Sequence, residues 1–201
     1  MTRIGILAFQ GDFREHARAM ERLGAESRLV RLPRDLENLD GLILPGGEST
    51  VMGKLMVAYD VVEPLRKLLS QGIPAWGTCA GMILLSRETD NALAGQPLLA
   101  SMNMRTRRNA FGTQRESFET MLDVPVLGEE PYHAVFIRGP VVESVGDGVE
   151  VLARIAAPEP NIVAVRQNAL LATAFHPEVT GDLRFHEYFL GMVESARAAA
   201  V

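Results

Sequence analysis

The stretch that decides the fold is IPAWGTCAGMILLSR, residues 73–87. Its start, from Ile73 to Trp76, predicts a short buried strand, and Ala80 to about Arg87 predicts a helix. Between them Cys79 occupies the centre of a G-x-C-x-G pattern. A strand that runs into a helix through this pattern is typical of a nucleophile elbow, whose glycines permit a sharp turn and whose apex side chain is expected to be exposed. Cys79 is therefore a candidate nucleophile, and the alternative is a small cysteine packed below a turn.

The residues before this stretch predict alternating strands and helices. The expected elements are strands at Arg3 to Phe9, Arg28 to Leu32 and Gly41 to Leu44, and helices at Asp12 to Leu23 and Val61 to Leu69. Such alternation favours a parallel sheet covered by helices. In sheets of this kind, ligands bind beyond the carboxyl ends of the strands.

The second half of the chain predicts mainly strands. The stretch from Met102 to Gln114 carries three arginines among few apolar residues and is interpreted as an irregular connection. Strands are expected at His133 to Ile137, Val149 to Ile155, Ile162 to Gln167 and Leu170 to Phe175, and a final helix at Asp182 to about Ala198. The tight turn at residues 168–169 requires antiparallel pairing. We therefore expect an α/β fold, a mostly parallel sheet with added antiparallel strands, in one domain spanning residues 1–201.

Composition narrows the classes of function. The chain has 201 residues, 47% of them hydrophobic, a formal charge of -5 and a pI near 5.4. Because its basic residues are scattered, no nucleic-acid partner is expected. The sequence shows no signal peptide and no apolar run of the roughly 20 residues that span a bilayer, so we expect no membrane partner and a cytoplasmic location. A single cysteine agrees with a reducing compartment.

A thiolate nucleophile needs a base and a group that orients the base. His176-Pro177-Glu178 directly follows a predicted strand, so a histidine and a carboxylate two residues apart can point the same way. His16, His133 and His186 are interpreted as surface or core residues without a catalytic role. One cysteine and dispersed histidines have no metal-ligand spacing, so no metal is expected.

The loop Pro45-Gly46-Gly47-Glu48-Ser49 is a candidate source of backbone N–H groups for an oxyanion. Gly47 in this loop and Ala80 after the nucleophile are the candidate donors. The loop matches neither of the glycine-rich phosphate-binding patterns, so a nucleotide site is not supported.

Together, the Cys79 turn, the 45–49 loop and His176-Pro177-Glu178 resemble the class I glutamine amidotransferase family. Further stretches resemble the glutaminase subunits of pyridoxal 5'-phosphate synthase within that family, and the likeness spans nearly the whole chain. These stretches are LAFQGDFREH at residues 7–16, LILPGGEST at 42–50, RNAFG at 108–112, FIRGP at 136–140 and FHPEVT at 175–180. Trp76 before the elbow and the length of the segment from Val126 to Tyr132 depart from the family pattern.

The resemblance implies a flavodoxin-like three-layer sandwich that hydrolyses L-glutamine without a cofactor. It implies Cys79 as nucleophile, His176 as base and then acid, and Glu178 as the residue that orients His176. The implied substrate contacts are Gly47, Glu48, Ser49, Arg108, Ile137 and Arg138. The implied partner is a TIM-barrel synthase subunit, a dodecameric core decorated by glutaminases, which receives the ammonia and activates the glutaminase by docking.

Three alternatives remain open from the sequence. The chain could be a glutaminase that serves another synthase, such as one making histidine or an aromatic precursor. It could also be a non-catalytic flavodoxin-like protein in which Cys79 senses oxidants, although that role would not need His176 and Glu178. A cysteine peptidase would need an extended cleft that the sequence does not reveal.

Overall fold

A computed structural model describes residues 1–90, 95–111, 117–156 and 160–199. The first half alternates as predicted: β1 (Arg3–Leu7), α1 (Phe13–Arg22), β2 (Glu26–Val30), β3 (Gly41–Leu44), α2 (Ser49–Ala58), α3 (Val62–Ser70), β4 (Ala75–Thr78) and α4 (Ala80–Leu85). A 3-10 turn at Pro33–Leu36 separates β2 from β3. No helix within these described ranges is both long enough and apolar enough to cross a bilayer.

The second half is rich in strands. It contains β5 (Ser86–Asp90), β6 (Met102–Arg107), β7 (Ser117–Leu122), β8 (Tyr132–Ile137), β9 (Val141–Val145), β10 (Glu150–Ile155), β11 (Asn161–Gln167), β12 (Leu170–Thr173) and α5 (Arg184–Ala199). Short 3-10 turns lie at Pro125–Leu127 and Pro177–Val179. The predicted tight turn is confirmed, since Gln167 pairs with Leu170 in the antiparallel hairpin of β11 and β12.

The main sheet has the order β2-β1-β3-β4-β12-β11-β9-β6-β5, with β10 paired to β11. Strands β2, β1, β3, β4 and β12 run parallel, whereas β11 is antiparallel to its neighbours. Strands β7 and β8 form a separate two-stranded sheet. The predicted fold class, a mostly parallel sheet with added antiparallel strands, is confirmed.

Helices cover both faces of the sheet. Trp76 packs against Phe185 and Phe189 of α5, whereas the next residue, Gly77, lies directly against Gly81 of α4. Because successive residues of a strand point to opposite faces, α5 and α4 lie on opposite sides of β4. The structure thus has the three layers that the resemblance implied.

Two segments differ from the sequence-based expectations. Met102–Arg107 is the strand β6 and not an irregular connection, and residues 112–114 of that predicted stretch lie outside the described residues. Its arginines stand on the outer face and pair with carboxylates such as Asp90 and Glu143, while Met102, Met104 and Thr106 point inward. Strands β5, β7 and β9 were not predicted. Helix α2 was also missed, because Gly53 in its interior weakens the helical pattern; Pro97 packs against this glycine.

The position of β12 determines the site. Its pairing with β4 places Thr173 opposite Thr78, so both strands end at the same edge of the sheet. Cys79 directly follows β4, and two residues separate His176 from the end of β12. The loops after β1 and β3 reach the same edge, as the parallel pairing of these strands requires.

Candidate active site

Cys79 lies on a strained turn between β4 and α4. Its φ of +48° and ψ of -103° lie in a region that a residue with a side chain rarely adopts. The turn is held by the Cys79 amide, which donates to Thr173 O at 2.8 Å. A Cβ added to Gly77 would contact Gly81 O, and one added to Gly81 would fall on Leu44 O. Both glycines are therefore required by close approach of the backbone.

The Cys79 side chain is less exposed than the elbow pattern predicts. Only 6% of the residue is accessible, and Sγ lies 4.0 Å from Ile137 O at the end of β8. The reason is tertiary: the end of β8, which pairs with β7 in a hairpin that the sequence did not predict as a unit, lies beside the apex of the turn. Access to the thiol is therefore through a cavity and not from an open surface.

His176 and Glu178 form a buried pair. His176 Nδ1 lies 2.7 Å from Glu178 Oε1, and the two side chains are 5% and 0% exposed. The His176 amide donates to Val135 O at 2.9 Å, which fixes this segment against β8. The ring packs so closely on Gly46 that a Cβ there would contact it. Because Nδ1 is engaged by the carboxylate, Nε2 is the ring nitrogen left for Cys79.

The electrostatics of the pair favour an imidazolium beside a carboxylate. Burial alone would lower the pKa of His176, but hydrogen bonds with Asp12, Cys79 and Glu178 outweigh it and hold the pKa well above its usual range. Burial alone would raise the pKa of Glu178, but His16 and His176 hold it well below its usual range. An imidazolium next to Cys79 would in turn stabilise a thiolate.

The 45–49 loop is fixed at the start of α2. Glu48 caps this helix, accepting from Thr50 N at 3.1 Å and Val51 N at 2.8 Å. Its Oε1 also lies 3.0 Å from Arg108 Nη2. Glu48 N donates to Gln10 Oε1 at 2.6 Å, which ties the loop to the segment after β1.

A cavity of about 430 Å³ joins these residues. It has the size and the mixed polar and apolar lining of a small-metabolite site. Cys79, Ala80 and His176 line it together with all six predicted substrate contacts, namely Gly47, Glu48, Ser49, Arg108, Ile137 and Arg138. Glu178 lies behind His176. Ser49 Oγ is buried and has no hydrogen-bond partner among the described residues.

Three residues at the site were missed by sequence reasoning about chemistry. Gln10 and Asp12 line the cavity, and Asp12 Oδ2 lies 3.5 Å from His176 Nδ1. His16 Nε2 lies 3.3 Å from Glu178 Oε2. The sequence signal that could have indicated Gln10 and Asp12 was their position after β1, whose end reaches the same sheet edge as the other loops of the site.

Asp12, His176 and Glu178 bring possible metal-ligand atoms within 4.8 Å of one another. We interpret them as an acid–base group because His176 Nδ1 and Glu178 Oε1 already bond to each other.

Comparison with known proteins gives consistent matches over nearly the whole chain. Residues 6–195 match the SNO glutamine amidotransferase family. A protein of Clavibacter sepedonicus named pyridoxal 5'-phosphate synthase subunit PdxT is 55% identical over 193 residues, covering 96% of this chain and 91% of that protein. The protein of the same name from Pelotomaculum thermopropionicum is 56% identical over 188 residues, covering 94% of this chain and 93% of that protein.

A solved structure agrees with these matches. The crystal structure of a glutamine amidotransferase superposes with a TM-score of 0.88 at 48% identity, covering 95% of this chain and 98% of that one. The resemblance found in the sequence is therefore confirmed, and the chain belongs to the SNO glutamine amidotransferase family.

Proposed function

We propose that this protein hydrolyses L-glutamine through Cys79, His176 and Glu178 and passes the ammonia to a pyridoxal 5'-phosphate synthase subunit. One observation carries the proposal. His176 lines the cavity that contains Cys79, and its Nδ1 lies 2.7 Å from Oε1 of the buried Glu178 behind it. This arrangement has the nucleophile, base and orienting group that amide hydrolysis by a thiol requires.

The proposed reaction assigns one role to each of the three side chains. The Cys79 thiolate attacks the side-chain amide carbon of glutamine, and the imidazolium of His176 donates its proton to the departing ammonia. His176 then takes a proton from water as that water attacks the glutamyl thioester. Collapse of this intermediate restores the Cys79 thiolate beside the His176 imidazolium and releases the new carboxyl group, whose proton passes to ammonia. Glu178 holds the His176 ring through Nδ1 in both steps. The sum is glutamine and water giving glutamate and ammonium, that is, ammonia and the proton of the new carboxyl group.

The backbone amides of Gly47 and Ala80 are the proposed donors to the tetrahedral oxyanion. Both residues line the cavity, and Ala80 is the first residue of α4. Donors held in place before the reaction stabilise charge as it develops. The tie between Glu48 N and Gln10 Oε1 constrains the loop that carries Gly47.

Arg108 is proposed to bind the α-carboxylate of glutamine. Replacing Arg108 by alanine should raise KM for glutamine about 10- to 100-fold with a smaller effect on kcat, because a charge-assisted hydrogen bond contributes about 1.5–3 kcal/mol. Steady-state kinetics of glutamate release would measure this. Arg105→Ala is the matched control, since Arg105 pairs with Asp90 on the outer face of β6 and does not line the cavity. An unchanged KM in the Arg108 variant would assign carboxylate binding elsewhere.

The proposed partner is the synthase subunit that accepts ammonia. Two relatives above 50% identity are named as subunits of pyridoxal 5'-phosphate synthase, which supports a synthase partner. The finer proposal is a TIM-barrel subunit assembled as a dodecamer, with the complex located in the cytoplasm. The glutaminase itself needs no bound cofactor in this scheme, because pyridoxal phosphate is the product of the complex.

The test is glutamate release from glutamine by the purified chain, with and without the candidate synthase subunit. Release that requires the synthase and disappears in Cys79→Ala would support a partner-activated glutaminase. Release that is equal with and without this synthase would support glutaminase chemistry but argue for a different partner. No release under either condition would contradict the proposed function and favour the oxidant-sensing alternative.

A further inference from the structure

A second buried polar cluster lies behind Glu178, on the side away from Cys79. His16 Nε2 is 3.3 Å from Glu178 Oε2 and 3.3 Å from Thr78 Oγ1, and His16 Nδ1 is 3.0 Å from His186 Nε2. His16, Thr78 and His186 are all fully buried. These contacts join α1, β4, α5 and the turn that carries Glu178.

Trp76 holds the two histidine rings. Its ring meets those of His16 and His186 edge-on, at centroid distances of 5.6 and 5.0 Å. Trp76 is itself fixed, because its Nε1 donates to Thr173 Oγ1 at 3.2 Å. The position of His16 relative to Glu178 is therefore determined by a packed core and not by a mobile surface helix.

Glu178 depends on His16 for one of its two oxygens. Oε1 is bonded to His176, but Oε2 is buried and has no well-aligned hydrogen bond among the described residues. His16 Nε2, which also lies near Thr78 Oγ1, is 3.3 Å from this oxygen. A buried carboxylate without such a partner would favour its protonated form.

The groups that face this carboxylate come from several elements. Those nearest to it are His16 of α1, His176 of the same turn, His186 of α5 and Tyr132 of β8. Asp12 and Cys79 face His176 on the other side. Three charged residues of α1 line a second cavity together with Glu178 and His186, namely Glu15, Arg18 and Arg22. Among the effects that lower the pKa of Glu178 against its burial, those of His16 are the largest.

The pairing with His186 sets the proton position on His16. Burial lowers the pKa of His186 to about 3, so His186 is neutral. If His186 Nε2–H donates to His16 Nδ1, the neutral His16 ring carries its proton on Nε2. This arrangement directs an N–H of His16 towards Glu178 Oε2, which is buried without another hydrogen bond among the described residues.

We propose that His16, backed by His186, is a positioning residue that keeps Glu178 ionised and directed at His176. This inference rests on the proposed triad. It extends the group that acts on Cys79 from three side chains to five, with the last two fully buried on the opposite side of Glu178 from the cavity. His16 touches neither the cavity nor the thiol, so its effect must pass through Glu178.

The test is the pH dependence of Cys79 alkylation by iodoacetamide, with glutamate release in the synthase complex as a second readout. In His16→Leu, Glu178 loses its second partner, so it takes up a proton at a higher pH. A protonated Glu178 no longer stabilises the His176 imidazolium, which in turn stabilises the Cys79 thiolate that iodoacetamide alkylates. The acid limb of alkylation should therefore move up by about one pH unit. Glutamate release at neutral pH should fall about tenfold. His16→Gln, which keeps an N–H near the position of Nε2, should restore most of both.

His133→Leu is the matched control, because His133 is about half exposed and pairs with Glu119. The acid limb of Cys79 alkylation in this variant should lie at the same pH as in the wild type. His186→Leu provides a second variant if His16→Leu does not fold. It should move the acid limb in the same direction by a smaller amount. The proposal would be overturned if the acid limb of Cys79 alkylation lay at the same pH in the folded variants as in the wild type. It would also be overturned if alkylation of the wild type had the pH dependence of an ordinary thiol. Failure of the proposed function is distinguishable, since it would appear as absent glutamate release in the wild-type complex.

Discussion

Replacement of Cys79 by alanine is expected to reduce glutamate release in the synthase complex by about 10⁴-fold or more, because no covalent intermediate can form. The fold should persist, since the substitution removes one buried atom and leaves the backbone of the turn bonded to Thr173. Stopped assays of glutamate at saturating glutamine would measure the loss, and thermal unfolding would report the fold.

Docking provides the control for this variant. Cys79→Ala should bind the synthase subunit as the wild type does, which size-exclusion chromatography of the mixture would show. Loss of docking in this variant would contradict a purely chemical role for the thiol. Glutamate release within tenfold of the wild type would mean that another group is the nucleophile.

Replacement of Gly81 by alanine is expected to destabilise the fold by about 3 kcal/mol or more, although alanine ordinarily favours a helix. The added Cβ would fall on Leu44 O, a backbone atom that cannot move without disturbing the pairing of β3 with β4. Urea unfolding followed by circular dichroism would measure the change in the free energy of unfolding.

Gly191→Ala is the matched control because it places the same change in helix α5. No atom lies within 4 Å of a Cβ there, and its φ is not positive. This variant should be more stable than the wild type by about 0.5–1 kcal/mol. If both variants gained stability, the close approach of α4 to β3 would be refuted as the reason for glycine at residue 81.

Strands with one apolar face and helices with a clear apolar stripe could be predicted from the sequence. Strand β3 was predicted with its observed bounds, and α1 and α3 were predicted to within about a residue at each end. Strand β6 was predicted wrongly, because its arginines obscure an alternating pattern that becomes clear only when their partners, Asp90 and Glu143, are in place. Charged side chains on an outer face are stable there only through tertiary neighbours.

The predicted site residues were brought together, but the groups around them were not predicted. Motif spacing indicated Cys79, His176 and Glu178, since each lies in a short segment with its own local signature. The role of His16 has no local signature. It is one histidine on an amphipathic helix, and 162 positions along the chain separate it from the carboxylate it faces.

By itself, the sequence determined the alternating α/β pattern, the glycine-flanked turn at Cys79 and the histidine–carboxylate pair two residues apart. These depend on backbone sterics and local periodicity, which act over a few residues. The tertiary structure alone decided that β12 lies beside β4, that the end of β8 lies beside the thiol, and that His16 and His186 stand behind Glu178. Those outcomes depend on burial and on pairing between distant segments, whose energies exist only once the core has formed.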